Sequence, residues 1–175
     1  MNKAVLFDLD GVLVDACDWH YEALNRALRD VAGYEICRQD HDSIYNGLPT
    51  RVKLHMLAKK GIIRESEFDE IENLKQDATL VVIEELCVLD HSKISLMSSL
   101  KDRGYKIGCV TNSIQKTAKR MLKNSGVLPF MNCLISNQDV TNSKPHPEGY
   151  ITAMVMLNST PSNTIIVEDS EKGLQ

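Results

Sequence analysis

Val5-Leu6-Phe7-Asp8-Leu9-Asp10-Gly11-Val12-Leu13-Val14-Asp15 decides the fold. A short apolar run ends at Phe7, and two carboxylates follow one residue apart, closed off by Gly11. The run is too short for a helix and nearly continuous in apolarity, which suits a strand of a parallel sheet covered on both faces. Residues two apart in an extended chain face the same side, so Asp8 and Asp10 project together while Leu9 points away. Open parallel sheets bind ligands beyond the carboxyl ends of their strands, so the pair stands where chemistry is expected. Two close carboxylates repel, and one is pushed towards protonation unless a cation intervenes. Mg²⁺ takes oxygen ligands and is commonly held by one or two carboxylates together with a substrate phosphate. Taken alone, the pair reads equally well as a helix cap or a solvated turn.

Three further short runs rich in Val and Ile continue the pattern: Lys106 to Val110, Cys133 to Ile135 and Thr164 to Val167. Helical segments separate them. Residues 114–125 carry Ala118, Met121 and Leu122 at helical spacing and stop at Gly126, a C′ glycine. Residues 147–158 begin with Pro147 at a first helical position and carry Ile151, Met154, Val155 and Leu157. The alternation predicts an α/β fold, a Rossmann-like doubly wound parallel sheet.

Between the first and second runs helical patterns dominate. Residues 15–31 place His20, Leu24, Ala27, Leu28 and Val31 along one side. Residues 50–60 start with Thr50 as N-cap and end at Gly61. Residues 66–86 offer Ser66 as N-cap and a stripe of Ile71, Leu74, Ala78, Val82 and Leu86. Residues 91–103 carry Lys and Arg in the last turn with Gly104 beyond. Residues 15–89 therefore read as an all-helical lobe inserted into an α/β core made of 1–14 and 90–175.

The ends of the later runs bear on the opening pair. Thr111-Asn112-Ser113 follows the second run, and small polar residues ahead of a helix form a phosphate cradle, or simply an N-cap. Ser143-Lys144-Pro145-His146-Pro147 follows the third, with Lys144 stiffened by Pro145; a lone loop lysine is otherwise solvated surface. Glu168-Asp169-Ser170 follows the fourth, a second acidic cluster or another cap. Each bland reading stands singly. Together, on one sheet edge, these residues are the inventory for phosphoryl transfer through Mg²⁺: nucleophile, anion donors, fixed cation and metal ligands.

Composition excludes several other classes. The 175 residues, 43% hydrophobic and 25% charged, suit one globular domain with an inserted lobe. A net charge of −4 without a basic run argues against nucleic-acid and anionic-membrane binding. No apolar stretch approaches the ~20 residues of a membrane span. The first residues run straight into acidic positions, unlike a signal peptide. Cys17, Cys37, Cys87, Cys109 and Cys133 are scattered, odd in number and never spaced C-x-x-C. Free thiols in a reducing cytoplasm are expected, with neither a zinc site nor a disulfide framework.

In order, DLDGVLVD, VTNS, SKPHPE and VEDS resemble the motifs of the haloacid dehalogenase (HAD) superfamily, in its phosphatase and β-phosphoglucomutase-like branch. The helical lobe resembles the C1-type cap of that branch. The resemblance implies that Asp8 attacks phosphorus to form an aspartyl-phosphate. Asp10 would protonate the leaving oxygen and then activate water. Thr111, Asn112 and Lys144 would bind the transferred phosphoryl group. Mg²⁺ would sit on the Asp8 carboxylate, the Asp10 carbonyl and Asp169, with Glu168 nearby. A dehalogenase would need neither the metal nor the second aspartate, so Asp10 favours phosphate chemistry.

Substrate choice is expected from the cap. Its candidates are His20, Arg51 after the turn Asn46-Gly47-Leu48-Pro49-Thr50, and Lys75, each equally readable as a packed histidine or a solvated charge. The expected activity is hydrolysis of a small phosphorylated metabolite of sugar-phosphate type, with a β-phosphoglucomutase-like isomerase as the alternative. A response-regulator receiver is disfavoured by Thr-Asn-Ser after Val110 and by the long helical insert. No P-loop motif occurs. A non-catalytic relative stays open because the chain stops at Glu171-Lys172-Gly173-Leu174-Gln175, where family members continue through a helix to a further strand. The C-terminal part of the core is thus expected to be missing, leaving the fourth run as an unpaired edge.

Overall fold

The structure is a computed structural model and describes residues 1–46 and 48–170. Gly47 and the expected helix start at 171–175 lie outside the described residues. The chain divides into two compact units, Met1–Ala16 with Cys87–Gln175, and Cys17–Leu86.

The first unit is built on four parallel strands, β1 (Ala4–Phe7), β2 (Lys106–Val110), β3 (Cys133–Ile135) and β4 (Thr164–Val167), in the order β3-β2-β1-β4. Phe7 lies opposite Cys109 on one side and Val167 on the other, and Val110 lies opposite Ile135. This register brings all four carboxyl ends to one level, which matters for the site. β1 is buried throughout, as an apolar central strand must be. Among the described residues three helices accompany the sheet: α5 (His91–Asp102), α6 (Gln115–Asn124) and α7 (Glu148–Met156). The Asp90 carboxylate caps α5 by accepting from the amides of Ser92 and Lys93 at 3.1 and 3.0 Å. α6 buries Ala118, Met121 and Leu122 and ends at Gly126, whose φ of +81° fits a C′ residue.

Two expectations about apolar faces need correction. β4 is not covered on both faces: Ile165 is 54% and Ile166 40% exposed, whereas its place at the edge of the sheet, among the described residues, is the one expected of the fourth run. On α7, Ile151 and Val155 face solvent, while Gly149, Tyr150 and Ala153 are buried. Tyr150, Ala153 and Leu157 pack with Leu6, Val110 and Ile135. α7 is apolar almost all round, so spacing alone could not select the face that meets the sheet. Pro147 is its N-cap rather than its first helical residue.

The second unit holds α1 (Cys17–Ala32), the short α2 (Arg38–Asp40) running into a π-turn at His41–Tyr45, α3 (Thr50–Lys59), and α4 (Phe68–Leu86). The Arg38–Tyr45 segment has no counterpart in the expected elements. α3 is capped by Pro49 rather than Thr50, and Ser66 lies within a 3₁₀ turn before α4. Leu24, Leu28, Ile36, Leu54, Leu57 and Ile71 form the apolar centre. Asn25, fully buried, satisfies itself on the Ile36 backbone, giving to its carbonyl and accepting from its amide at 3.0 Å each. On α4 the buried positions are Phe68, Ile71, Thr79, Val82 and Ile83, whereas Leu86, assigned to the stripe, is exposed. The five cysteines are free, and no helix among the described residues is long and apolar enough to cross a membrane.

Candidate active site

The common level of the strand ends brings residues distant in sequence together. Asp8 leaves β1 with its amide donating to the Val167 carbonyl at 2.9 Å, and Thr111 leaves β2 donating to Ile135 in the same way. The Lys144 ammonium reaches between them. It donates to Asp8 Oδ1 at 2.5 Å, to Glu168 Oε1 at 2.7 Å and to the Val110 carbonyl at 3.2 Å. Its backbone is bracketed by Asn112, whose Oδ1 accepts from the Lys144 amide at 3.0 Å and whose Nδ2 donates to the Lys144 carbonyl at 3.1 Å. The Glu148 carboxylate ties down the start of the same loop by accepting from the amides of Thr141 and Asn142. The Lys144–Pro145 peptide is cis.

Asp10 has different company. Its Oδ2 accepts from Ser113 Oγ at 2.9 Å and lies 3.5 Å from Thr111 Oγ1, which itself accepts from the Ser113 amide. The chain turns sharply after Asp10 through Gly11, at φ +87°. A Cβ on Gly11 would lie 2.0 Å from Asp169 Oδ2, so only glycine lets that carboxylate pass over the turn.

Burial and pairing set the charges. Withdrawal from water pushes the Asp8 carboxyl up to about 6, although the Lys144 ammonium pulls the other way. Burial opposes the charge on Lys144, yet the Asp8 and Glu168 carboxylates outweigh it and hold the ammonium above its ordinary value. Burial likewise works against Glu168, but hydrogen bonds from Lys144 and Tyr150 leave it below the usual carboxylate range. A buried ammonium shared by two carboxylates is a well-compensated charge.

A divalent cation fits this rim. Asp8, Glu168 and Asp169 each offer a carboxylate oxygen, and these atoms lie within 4.8 Å of one another. Hard oxygen donors of this kind suit Mg²⁺. Glu168 is the most committed of the three, since its Oε1 already accepts from Lys144 and from Tyr150 Oη at 2.5 Å.

The structure thus gathers Asp8, Asp10, Thr111, Asn112, Lys144, Glu168 and Asp169 at one edge of the first unit, with Asn112 on the lysine's backbone. The cap candidates lie on the second unit. His20 is on α1. Arg51, on α3, gives Nη1 to Asp69 and Glu72 at 2.7 Å each and lies over the Phe68 ring. Lys75 is on α4, and Gly47 of the turn before Arg51 lies outside the described residues.

Three contributors escaped sequence reasoning. Ser113 was legible as part of a phosphate cradle or as an N-cap rather than as the partner of Asp10, Glu148 only as the last residue of SKPHPE, and Tyr150 not at all. A buried tyrosine needs a partner for its hydroxyl, which was the available signal.

The chain matches the haloacid dehalogenase-like hydrolase family over residues 5–175. It is 27% identical over 176 residues to a phosphorylated carbohydrates phosphatase of Thermotoga maritima, covering 99% of this chain and 79% of that protein. It is 30% identical over 181 residues to a validoxylamine A 7′-phosphate phosphatase of Streptomyces hygroscopicus subsp. limoneus, covering 99% and 80%. A crystal structure of β-phosphoglucomutase from Clostridium difficile superposes with a TM-score of 0.79 at 27% identity, over 99% of this chain and 78% of that one. The chain belongs to the haloacid dehalogenase-like hydrolases, in the branch of phosphatases and β-phosphoglucomutase-like enzymes.

Proposed function

We propose that the chain is a Mg²⁺-dependent phosphatase acting on a small phosphorylated metabolite of sugar-phosphate type, through an aspartyl-phosphate on Asp8. The observation that carries this reading is the Lys144 ammonium held between Asp8 and Glu168 at the rim where Asp169 crosses Gly11. Asp8 and Asp169, with the Asp10 carbonyl and with Glu168 nearby, would hold Mg²⁺, which would supply positive charge against the phosphoryl oxygens.

Asp8 forms a bond to phosphorus as the ester oxygen–phosphorus bond breaks, and Asp10 gives its proton to the departing alkoxide. A water then attacks the acyl phosphate while Asp10 takes its proton, which frees phosphate and restores Asp8. The hydroxyls of Ser113 and Thr111 orient Asp10 for both transfers. Lys144 offsets the negative charge of the transferring group and keeps Asp8 ionised. The likeness to a phosphatase of phosphorylated carbohydrates supports the substrate class.

The test is release of inorganic phosphate from a panel of sugar phosphates with Mg²⁺. Asp8→Asn should lower turnover by at least about 10³-fold, and chelation by EDTA should abolish it. Phosphate release that persists in Asp8→Asn overturns the reading. Isomer formation primed by a bisphosphate, with little phosphate released, points instead to a mutase.

A further inference from the structure

Lys144 stands in the irregular loop between β3 and α7, and its backbone is held by one side chain. Asn112 Oδ1 accepts from the Lys144 amide at 3.0 Å, and Asn112 Nδ2 donates to the Lys144 carbonyl at 3.1 Å. Among the described residues, that amide and that carbonyl make no other hydrogen bond. The other end of the lysine meets the same stretch of chain, because the Val110 carbonyl accepts from the ammonium at 3.2 Å. The end of β2 therefore holds Lys144 by its peptide and by its charge. Glu148 secures the loop separately, through the amides of Thr141 and Asn142.

Asn25 makes the same pair of bonds with the Ile36 backbone, but there every partner is buried. That pairing satisfies polar groups that water does not reach. Asn112 is exposed, so water could serve both Lys144 groups in its place, and stability gives little reason for the bracket. Geometry gives a better one. The ammonium ends a long flexible stem, so a small backbone rotation at Lys144 carries it away from Asp8 and Glu168.

We propose that Asn112 is a positioning residue: its side-chain amide sets the Lys144 backbone and serves turnover only through that ammonium. The motif resemblance assigns Asn112 to the phosphoryl group, yet its side-chain oxygen and nitrogen are each engaged on the lysine. The effect on turnover rests on the phosphatase reading above, whereas the hold on Lys144 does not.

The first test needs no turnover. Reductive methylation of the full chain, read lysine by lysine by peptide mass spectrometry, should be slow at Lys144, whose side chain is 9% exposed and doubly paired. Asn112→Ala should raise that rate about tenfold by loosening the loop alone. Lys53, buried in the other unit, should not respond. A rate unchanged at Lys144, or raised as much at Lys53, overturns the proposal.

The second test is a double-mutant cycle with Lys144→Met, using p-nitrophenyl phosphate and Mg²⁺. Asn112→Ala should lower kcat about tenfold in the parent and less than about twofold in Lys144→Met, where no ammonium is left to place. In urea the same substitution should cost equally in both backgrounds, since methionine keeps the backbone groups that Asn112 holds. Coupling in kcat without coupling in stability separates placement of the charge from general support of the loop. Equal kcat losses in both backgrounds would put Asn112 on the phosphoryl group itself and overturn the proposal. A chain that hydrolyses no ester but shows the methylation change defeats the phosphatase reading and leaves the hold on Lys144 standing.

Discussion

Lys144 and Lys53 are both almost withdrawn from water, one in each unit, and their ammonium groups meet opposite surroundings. Lys144 lies between two carboxylates and a carbonyl, so its charge is matched within the protein. Lys53 lies beside Lys75 and a thiol, and burial followed by that second lysine pulls it down to about 8. Desolvation is common to both; the partner decides the sign. On the proposed reading, Lys144 is the countercharge that keeps the Asp8 nucleophile ionised before substrate arrives. Lys53 has no carboxylate beside it among the described residues, and the cost of burying its charge appears as stability forgone.

The largest effect that can break this comparison is at Lys144. Replacing it by Met should lower kcat by about 10²–10³-fold, the usual cost of losing a preorganised charge partner. The same change leaves Asp8 and Glu168 facing each other without a cation, which should cost about 3 kcal/mol in urea unfolding without metal. A Lys144→Met chain as stable as the parent would show that the charge was not compensated in the way described.

Lys53→Met should do the reverse and stabilise the chain at pH 7, by up to roughly 3 kcal/mol given the size of the shift from 10.5 to about 8. The sign follows from proton counting. Between about 8 and 10.5 the unfolded lysine keeps its proton while the folded one has lost it. Stability of the parent therefore climbs with pH through that window, and the advantage of the Met variant shrinks. Urea unfolding of both chains at pH 7 and pH 10 measures the convergence. A Met variant less stable at pH 7 means that Lys53 already has a countercharge.

Tyr150→Phe sharpens the Lys144 half of the comparison. It removes only the hydroxyl that donates to Glu168 Oε1, the oxygen also bound to Lys144. A hydrogen bond to a charged group of this kind should be worth about tenfold in kcat. KM for substrate should move less, because the hydroxyl acts through Glu168 on the lysine; an unchanged kcat would make Tyr150 a packing residue only.

How much of this was legible in the sequence depended on distance along the chain. The limits of β1 to β4 followed from short Val- and Ile-rich runs bounded by breakers, which is local information. The acids and the lysine at the strand ends followed because parallel strands put their carboxyl ends on one edge. The hydroxyl partners did not, since Ser113 lies 103 residues from Asp10 and Tyr150 lies 18 from Glu168, with no local pattern joining either pair. Which face of α7 is buried, and that Ile165 and Ile166 of β4 are exposed, are facts of packing that an all-round apolar helix and a short apolar strand leave undetermined. Lys53 is the sharpest case. In sequence it is a charge on a helix, like Arg51 two residues before it. Only the packing of α3 separates the one that found carboxylates from the one that did not.

Asp90 tests the same reasoning with the charge reversed and the smallest expected effect. Its carboxylate is matched by the Ser92 hydroxyl and by the amides at the start of α5, which holds it well below the usual carboxylate range. Since the folded value lies under the unfolded one, its contribution is complete above the unfolded carboxylate range and is lost as pH falls towards the folded value. Asp90→Ala should therefore cost about 1 kcal/mol at pH 7, the ordinary worth of an N-cap, with the gap to the parent closing in acid. Lys53→Met should show its gap closing in base instead. Two variants whose differences from the parent vanish at opposite ends of the pH scale would establish that pairing, rather than burial, decides what each charge costs; a gap at Asp90 that persists unchanged in acid would assign its role to helix geometry alone.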